Sequence, residues 1–251
     1  MSPLYLYALA GSFPEDVPVG GCSVEGWNRD DPFLPRTPLG VGLAGEPLLL
    51  VPCGGFSAIV GEIAARPAVT AAALARHDET VRRLANLIPA LLPARFGEWL
   101  PDARALSESL APRAGEITRA LILVEGCVQM TLRVFGEPAV PEVAIAAPVE
   151  EEPAGGPGTR YLAARRRATA PGIPGLPEVA ALRRALRPLV RAERIERHEK
   201  GRLLASVHDL VVRAEASGYV RIVEGAAGEL AGRKVTVSGP WPPYAFAPGG
   251  L

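Results

Sequence analysis

Glu150-Glu151-Glu152-Pro153-Ala154-Gly155-Gly156-Pro157-Gly158 is the stretch on which the reading of this chain turns. Three like charges followed by prolines and glycines build no periodic apolar face, and such a composition reads as a connector. Together with the prolines just before it, the stretch predicts a linker over 136–157, with domains at 1–135 and 158–251. Each side mixes a few helices with a few strands, and neither alternates them over many units. That pattern predicts two α+β domains in place of a doubly wound sheet.

Moving from the linker toward the N-terminus, Val128 to Phe135 alternates apolar and polar residues, the period of a half-buried strand. Asp102 begins a helical region reaching Val124, which Pro112 should kink or split. Leu91 to Phe96 reads as extended. Pro67 should open a helix running to Ile88, with Ala73, His77, Val81, Leu84 and Ile88 on its apolar face. Leu48–Val51 and Phe56–Ile63 read as strands of a hairpin turned by Pro52-Cys53-Gly54-Gly55. Residues 12–45 read as a long loop, and Leu4 to Ala10 as a central buried strand.

On the other side, Thr159–Arg167 reads as a short helix and Pro177 to His198 as a longer one, with Val179, Leu182, Leu186 and Leu189 on one face. Leu203 to Val212 should be a strand, with His208-Asp209 a surface pair on it. A helix capped by Ser217 should follow, then a strand at Lys234–Val237. The tail Pro240-Trp241-Pro242-Pro243-Tyr244 should be extended or polyproline-like.

The 251 residues are 48% hydrophobic and 22% charged, with 27 basic and 27 acidic side chains. A balanced charge gives no overall drive toward nucleic acid or an acidic membrane. Apolar runs such as Leu48-Leu49-Leu50-Val51 are too short to span a bilayer. Cys22, Cys53 and Cys127 are odd in number and widely spaced. Met1-Ser2-Pro3-Leu4 lacks the basic start of an export signal, so reduced thiols in a cytosol are expected.

Candidates for chemistry are few. Cys53 with His77 has the residue types of a thiol hydrolase, but neither lies in a known local signature. His198 and His208 are ten apart and no cysteine pair has zinc spacing, so no metal or other cofactor is expected. Gly155-Gly156-Pro157-Gly158 is not followed by the Lys-Ser/Thr of a phosphate loop. Arg165-Arg166-Arg167 lies in a basic region, yet only Tyr161 accompanies it as an aromatic. A solvated helix face or a docking face for an acidic or amphipathic partner fits better than nucleic acid. In the tail, Trp241, Tyr244 and Phe246 either pack back onto their own domain or serve as binding anchors.

At this tail the residues resemble a known family. Ser238-Gly239-Pro240-Trp241-Pro242-Pro243-Tyr244-Ala245-Phe246 is similar to the C-terminal signature of the gas vesicle F/L (GvpF/GvpL) proteins. Leu92-Pro93-Ala94-Arg95-Phe96-Gly97 resembles the family's leucine-proline, arginine-phenylalanine-glycine motif. Gly158-Thr159-Arg160-Tyr161-Leu162-Ala163-Ala164-Arg165 resembles its glycine, tyrosine-leucine, arginine motif. His77 sits where the family has a helical histidine. The long stretch 12–45 and the lack of a tyrosine before Leu210-Val211 depart from the pattern.

The resemblance implies a second domain with a modified ferredoxin-like fold, carrying added helices and the aromatic-proline tail. It implies a non-catalytic cytoplasmic accessory, a minor component of gas vesicles. The implied partners are the small hydrophobic shell protein of the GvpA type and other gas vesicle accessory proteins, with no nucleic acid and no membrane. His77, Pro93, Arg95, Phe96, Gly97, Gly158, Tyr161, Leu162, Arg165, Gly239, Pro240, Trp241, Pro242, Pro243, Tyr244 and Phe246 carry over as structural or interaction positions. The alternatives are a thiol-dependent hydrolase using Cys53 and His77, and a relative serving another self-assembling partner.

Overall fold

The computed structural model describes residues 2–11, 39–136, 179–198, 200–226 and 233–249. The chain forms two compact units. The first comprises Met1–Gln129, Leu210–Arg213 and Gly239–Leu251; the second comprises Met130–Asp209 and Ala214–Ser238. The tail, expected to belong with the residues that precede it, is part of the first unit. Linker residues 137–157 and the expected helix Thr159–Arg167 lie outside the described residues.

The first unit is built on β1 (Leu4–Ala10), β2 (Leu48–Pro52), β3 (Ser57–Glu62), β4 (Leu91–Pro93) and β5 (Trp99–Leu100). The order β2-β3-β1-β4, with β5 also pairing β1, puts β1 at the centre. Every residue of β1 is buried, as its unbroken apolar and aromatic run predicts. The β2–β3 hairpin turns through Gly54 and Gly55 at φ 66° and 87°, the two positive angles a tight hairpin turn requires.

Helix α1 (Ala71–Leu87) packs on β1. It starts at Thr70 rather than at Pro67, because the Thr70 hydroxyl accepts the Ala73 N–H at 3.1 Å and so caps the first turn. Its buried face holds His77, Thr80, Val81, Leu84 and Ala85. Pro112 splits the next helical region as expected, into α2 (Ala103–Leu110), a 3-10 turn and α3 (Ala114–Val124). Asp102 caps α2 by accepting the Ala105 N–H at 2.8 Å.

Strand β6 (Cys127–Phe135) leads into a four-stranded sheet with β7 (Val190–Arg197), β8 (Leu203–Val212) and β9 (Lys234–Trp241), ordered β7-β8-β6-β9. Helix α4 (Ala180–Leu186) precedes β7, and α5 (Ala216–Ala226) packs against α4. The described elements thus follow one another as β6-α4-β7-β8-α5-β9, the succession that the expected ferredoxin-like arrangement calls for.

Three expectations need correction. The predicted helix 177–198 ends at Leu186, and residues 190–197 are strand β7. Pro188 lacks an N–H and its ring collides with the carbonyl four residues back, so the helix closes in a 3-10 turn. The Arg/Glu-rich run that follows is an edge strand, where exposed charges discourage pairing with other chains. Strand β6 is not half-buried: Cys127 to Leu132 are all buried, the polar Gln129 and Thr131 included. Asp209 is no surface residue; it is 2% exposed.

Candidate functional site

Within the first unit the family-motif residues gather around His77. Its Nε2 lies 3.2 Å from the Ala94 carbonyl oxygen, which can only accept, so Nε2 carries the proton. Nδ1 is therefore an acceptor and takes the Tyr5 hydroxyl proton at 3.0 Å. The same hydroxyl oxygen accepts the Gly97 N–H at 3.0 Å. A single relay thus runs from Gly97 through Tyr5 and His77 to Ala94, tying α1 and β1 to the Leu92–Gly97 motif.

The rings support this relay. Tyr5 and Phe96 meet His77 edge-on with centroids 5.7 Å away in each case, and Tyr7 stacks on it at 5.6 Å. Burial lowers the His77 pKa, the Ala94 bond opposing only in part. Burial likewise pushes Tyr5 up to about 12. Both groups are neutral at physiological pH, and both His77 nitrogens are occupied within the fold.

The motif's other residues follow from local physics. Pro93 sits in β4, at the end of the sheet order, where a missing N–H costs no ladder bond. Gly97 has φ 96°, which a side chain would strain, and its carbonyl accepts from Arg66 Nε at 3.1 Å. Phe96 is half-buried and Arg95 is exposed.

The tail lies against the same unit. After the cis Gly239–Pro240 bond, the Arg82 guanidinium sits over the Trp241 ring at 4.2 Å from its centroid. Arg82 is itself fixed by Asp78 at 2.7 Å. Pro242, Pro243 and Phe246 are buried. Tyr244 packs against the core that contains Tyr5, Val81 and Leu84, and burial raises its pKa. The Ala245 N–H donates to the Gln129 side-chain oxygen at 2.8 Å, which accounts for one buried polar group of β6.

Between the tail and α1 lies a cleft lined in part by Arg82, Asn86, Ile88, Val128, Arg213 and Trp241. Arg213 is held by the Ala85 carbonyl at 2.6 Å and the Asn86 side chain at 3.1 Å. The cleft is about 200 Å³, below the ~300–1,000 Å³ of small-molecule sites. Its size suits one or two side chains of a partner better than a cofactor.

The structure does not join Cys53 to His77 as a catalytic pair. The Cys53 thiol donates to the Val51 carbonyl at 3.3 Å, burial raises its pKa, and His77 has no nitrogen to spare for it. Among the described residues no three His, Cys, Asp or Glu side chains cluster as metal ligands would. No helix among them is long and apolar enough to cross a membrane. Gly158, Tyr161, Leu162 and Arg165 lie outside the described residues.

One cluster was missed in the sequence. Tyr7 donates to Glu46 Oε1 at 2.5 Å, and its oxygen accepts the Leu43 N–H at 2.7 Å. Glu46 Oε2 accepts the Ala44 N–H at 2.9 Å. A Cβ on Gly42 would lie 2.0 Å from Glu46 Oε1, and one on Gly61 2.5 Å from it. Two glycines thus make room for the carboxylate. Arg76 and Arg83 of α1 donate to the Leu43 and Val41 carbonyls. The available signal was a glycine-flanked glutamate, Glu46, between the loop read over 12–45 and the strand read from Leu48.

Comparison with known proteins agrees with this geometry. A family model described as "Gas vesicle synthesis protein GvpL/GvpF" matches residues 3–248. Gas vesicle protein L of Streptomyces sp. (strain CB03234) is 28% identical over 245 residues, covering 86% of this chain and 88% of that protein. The crystal structure of gas vesicle protein GvpF from Anabaena sp. PCC7120 superposes with a TM-score of 0.65 at 15% identity, covering 100% of this chain and 98% of that one. The crystal structure of GvpF from Microcystis aeruginosa gives 0.65 at 13% identity, with 99% and 100% covered. At such identities the two structures speak for the fold alone.

Proposed function

Since the chain belongs to the gas vesicle GvpL/GvpF family, we propose that it is a non-catalytic cytoplasmic accessory that binds the small hydrophobic shell protein during vesicle assembly. The observation that carries this reading is the family match over residues 3–248. In this reading the chain stays with the vesicle as a minor component and works beside other gas vesicle accessory proteins.

The geometry supports the reading in two ways. Small apolar subunits aggregate unless their faces are covered before assembly. The first unit offers a preformed cleft with an aromatic rim, and exposed apolar side chains including Leu87 and Ile122, 50% and 66% exposed. Its motif residues, in turn, are committed to structure. His77, Tyr5 and Gly97 satisfy one another, and Trp241, Tyr244 and Phe246 hold the tail in place. They fix the surface that the subunit meets and need take no part in chemistry. In this reading the second domain is ferredoxin-like.

The test is affinity capture of a co-expressed shell subunit by the full chain, followed by immunodetection of the chain on purified vesicles. Co-elution and a substoichiometric vesicle signal are expected. A folded chain that captures no shell subunit contradicts the reading.

A further inference from the structure

In the second unit, Val190-Arg191-Ala192-Glu193-Arg194-Ile195-Glu196-Arg197 is β7, and it stands at the end of the order β7-β8-β6-β9. No described strand lies beyond it, and Arg191, Glu193, Arg194, Glu196 and Arg197 are exposed. An edge of this kind is a template for a further strand. None of these residues belongs to the family motifs above, and the proposed shell-binding role uses none of them.

The direction of the edge follows from its neighbour. Residues 198–202 are too few for a crossover, so β7 and β8 run antiparallel. His198, next after β7, donates its N–H to the Leu204 carbonyl at 3.0 Å. Hydrogen-bonding direction alternates along a strand, so the backbone groups of Glu193, Ile195 and Arg197 point away from β8.

The charges on this edge then select a partner. Glu193-Arg194-Ile195-Glu196-Arg197 is its own charge complement about Ile195. When two copies pair antiparallel about a two-fold axis through Ile195, Arg194 of each meets Glu196 of the other. Glu193 likewise meets Arg197, and Ile195 meets Ile195. Each such opposition is favourable, whereas like charges directly opposite are destabilising. The axis stands perpendicular to the sheet and keeps every side chain on its own face, so half-step registers are excluded. Moving the axis by one residue sets Arg194 or Glu196 against itself. Glu193 is already held by Arg183, whose Nε lies 3.0 Å from Oε2, so the decisive new pair is Arg194 with Glu196. The Glu196 side chain is 66% exposed.

Other occupants fit less well. The run Glu193–Arg197 balances two acids against two bases, which gives no excess charge for a nucleic acid or a free ion. Edge charges turn away strands that do not match them, and a second copy carries the matching set by construction.

We propose that the chain forms a closed two-fold dimer in which β7 pairs antiparallel with β7 of a second copy, centred on Ile195. The inference is independent of shell-subunit capture, and either can fail alone.

The test is sedimentation velocity of the full chain over a concentration series. A reversible monomer–dimer equilibrium without larger species is expected, because a two-fold interface closes on itself. Arg194→Glu creates two like-charge oppositions and should weaken the dimer at least tenfold, as should Glu196→Arg. Mixing these two variants should restore association, and Arg194→Glu with Glu196→Arg in one chain should restore the dimer. Both positions are exposed, so each variant should melt close to the parent. Ile195→Cys should form a disulfide-linked dimer on mild oxidation, since an opposed hydrogen-bonded pair sets its Cα atoms about 5.5 Å apart. Arg191→Cys, far from the axis, should cross-link no more than the parent. A chain that stays monomeric up to its highest soluble concentration overturns the proposal, as does a dimer that both single variants leave intact. Failure of the mixed variants to associate, or of Ile195→Cys to cross-link, overturns the register.

Discussion

Replacing His77 by Ala tests the relay at the centre of the first unit. The change leaves the Ala94 carbonyl without its donor and the Tyr5 hydroxyl without its acceptor, both in a buried setting. Each stranded group costs about 1–2 kcal/mol, the lower part of the usual range. The space vacated among Tyr5, Tyr7 and Phe96 adds a cavity contribution, for a total of about 3–5 kcal/mol. At about 2–4 °C per kcal/mol for a unit of this size, the first unit's transition should fall by about 6–20 °C.

Tyr5→Phe removes the middle of the same relay, and the double variant measures their coupling. The cycle should give an interaction energy of about 1–3 kcal/mol; additivity within about 0.5 kcal/mol refutes the relay. The pH dependence adds an independent check. The folded pKa of His77 lies below its unfolded value of about 6.5. The unfolded chain therefore takes up the proton first as pH falls. His77's contribution is full above about pH 6.5 and declines below it. His208 is shifted the same way, so the informative quantity is the difference between the parent and His77→Gln.

Gly97→Ala should cost about 1–2 kcal/mol by thermal or chemical unfolding, because φ 96° strains any side chain even though a Cβ there would meet the Arg66 guanidinium only at an ordinary 3.6 Å. Asp209, pushed up to about 6 by burial, binds its proton more tightly folded than unfolded, so its contribution falls as pH rises from about 4 through 6. Asp209→Asn should therefore gain on the parent as pH rises, by up to about 3 kcal/mol at pH 7; a constant gap between the two melting curves contradicts the shift. Trp241→Ala with Tyr244→Ala should destabilise the first unit by several kcal/mol and reduce shell capture as a consequence. A variant that melts like the parent but no longer captures the subunit makes the tail a direct contact instead.

Where a local rule acts alone, the sequence was legible. The unbroken apolar run at Leu4–Ala10, the Gly54-Gly55 turn, the break at Pro112 and the apolar stripe carrying His77 each reduce to one such rule, and the structure follows them. The failures occur where distant residues decide. Val190–Arg197 has strong helix formers, yet Pro188 and pairing with β8 make it a strand. Asp209 looked exposed because no local pattern announces its bond to Tyr219, ten residues on in the following helix. The His77 partners Tyr5 and Ala94 lie 72 and 17 residues away, so the histidine was visible as buried while its relay was not. Glu46 was passed over because its carboxylate is explained only by Tyr7, 39 residues distant.

The most direct test of the account is the soluble fraction of the shell protein when it is made in a host cell with and without this chain. Co-expression should move shell subunit from the pellet into a soluble complex that co-elutes with the chain on size exclusion, and Cys53→Ser should leave that transfer intact. A shell protein that stays in the pellet beside abundant, folded chain contradicts the shell-binding account.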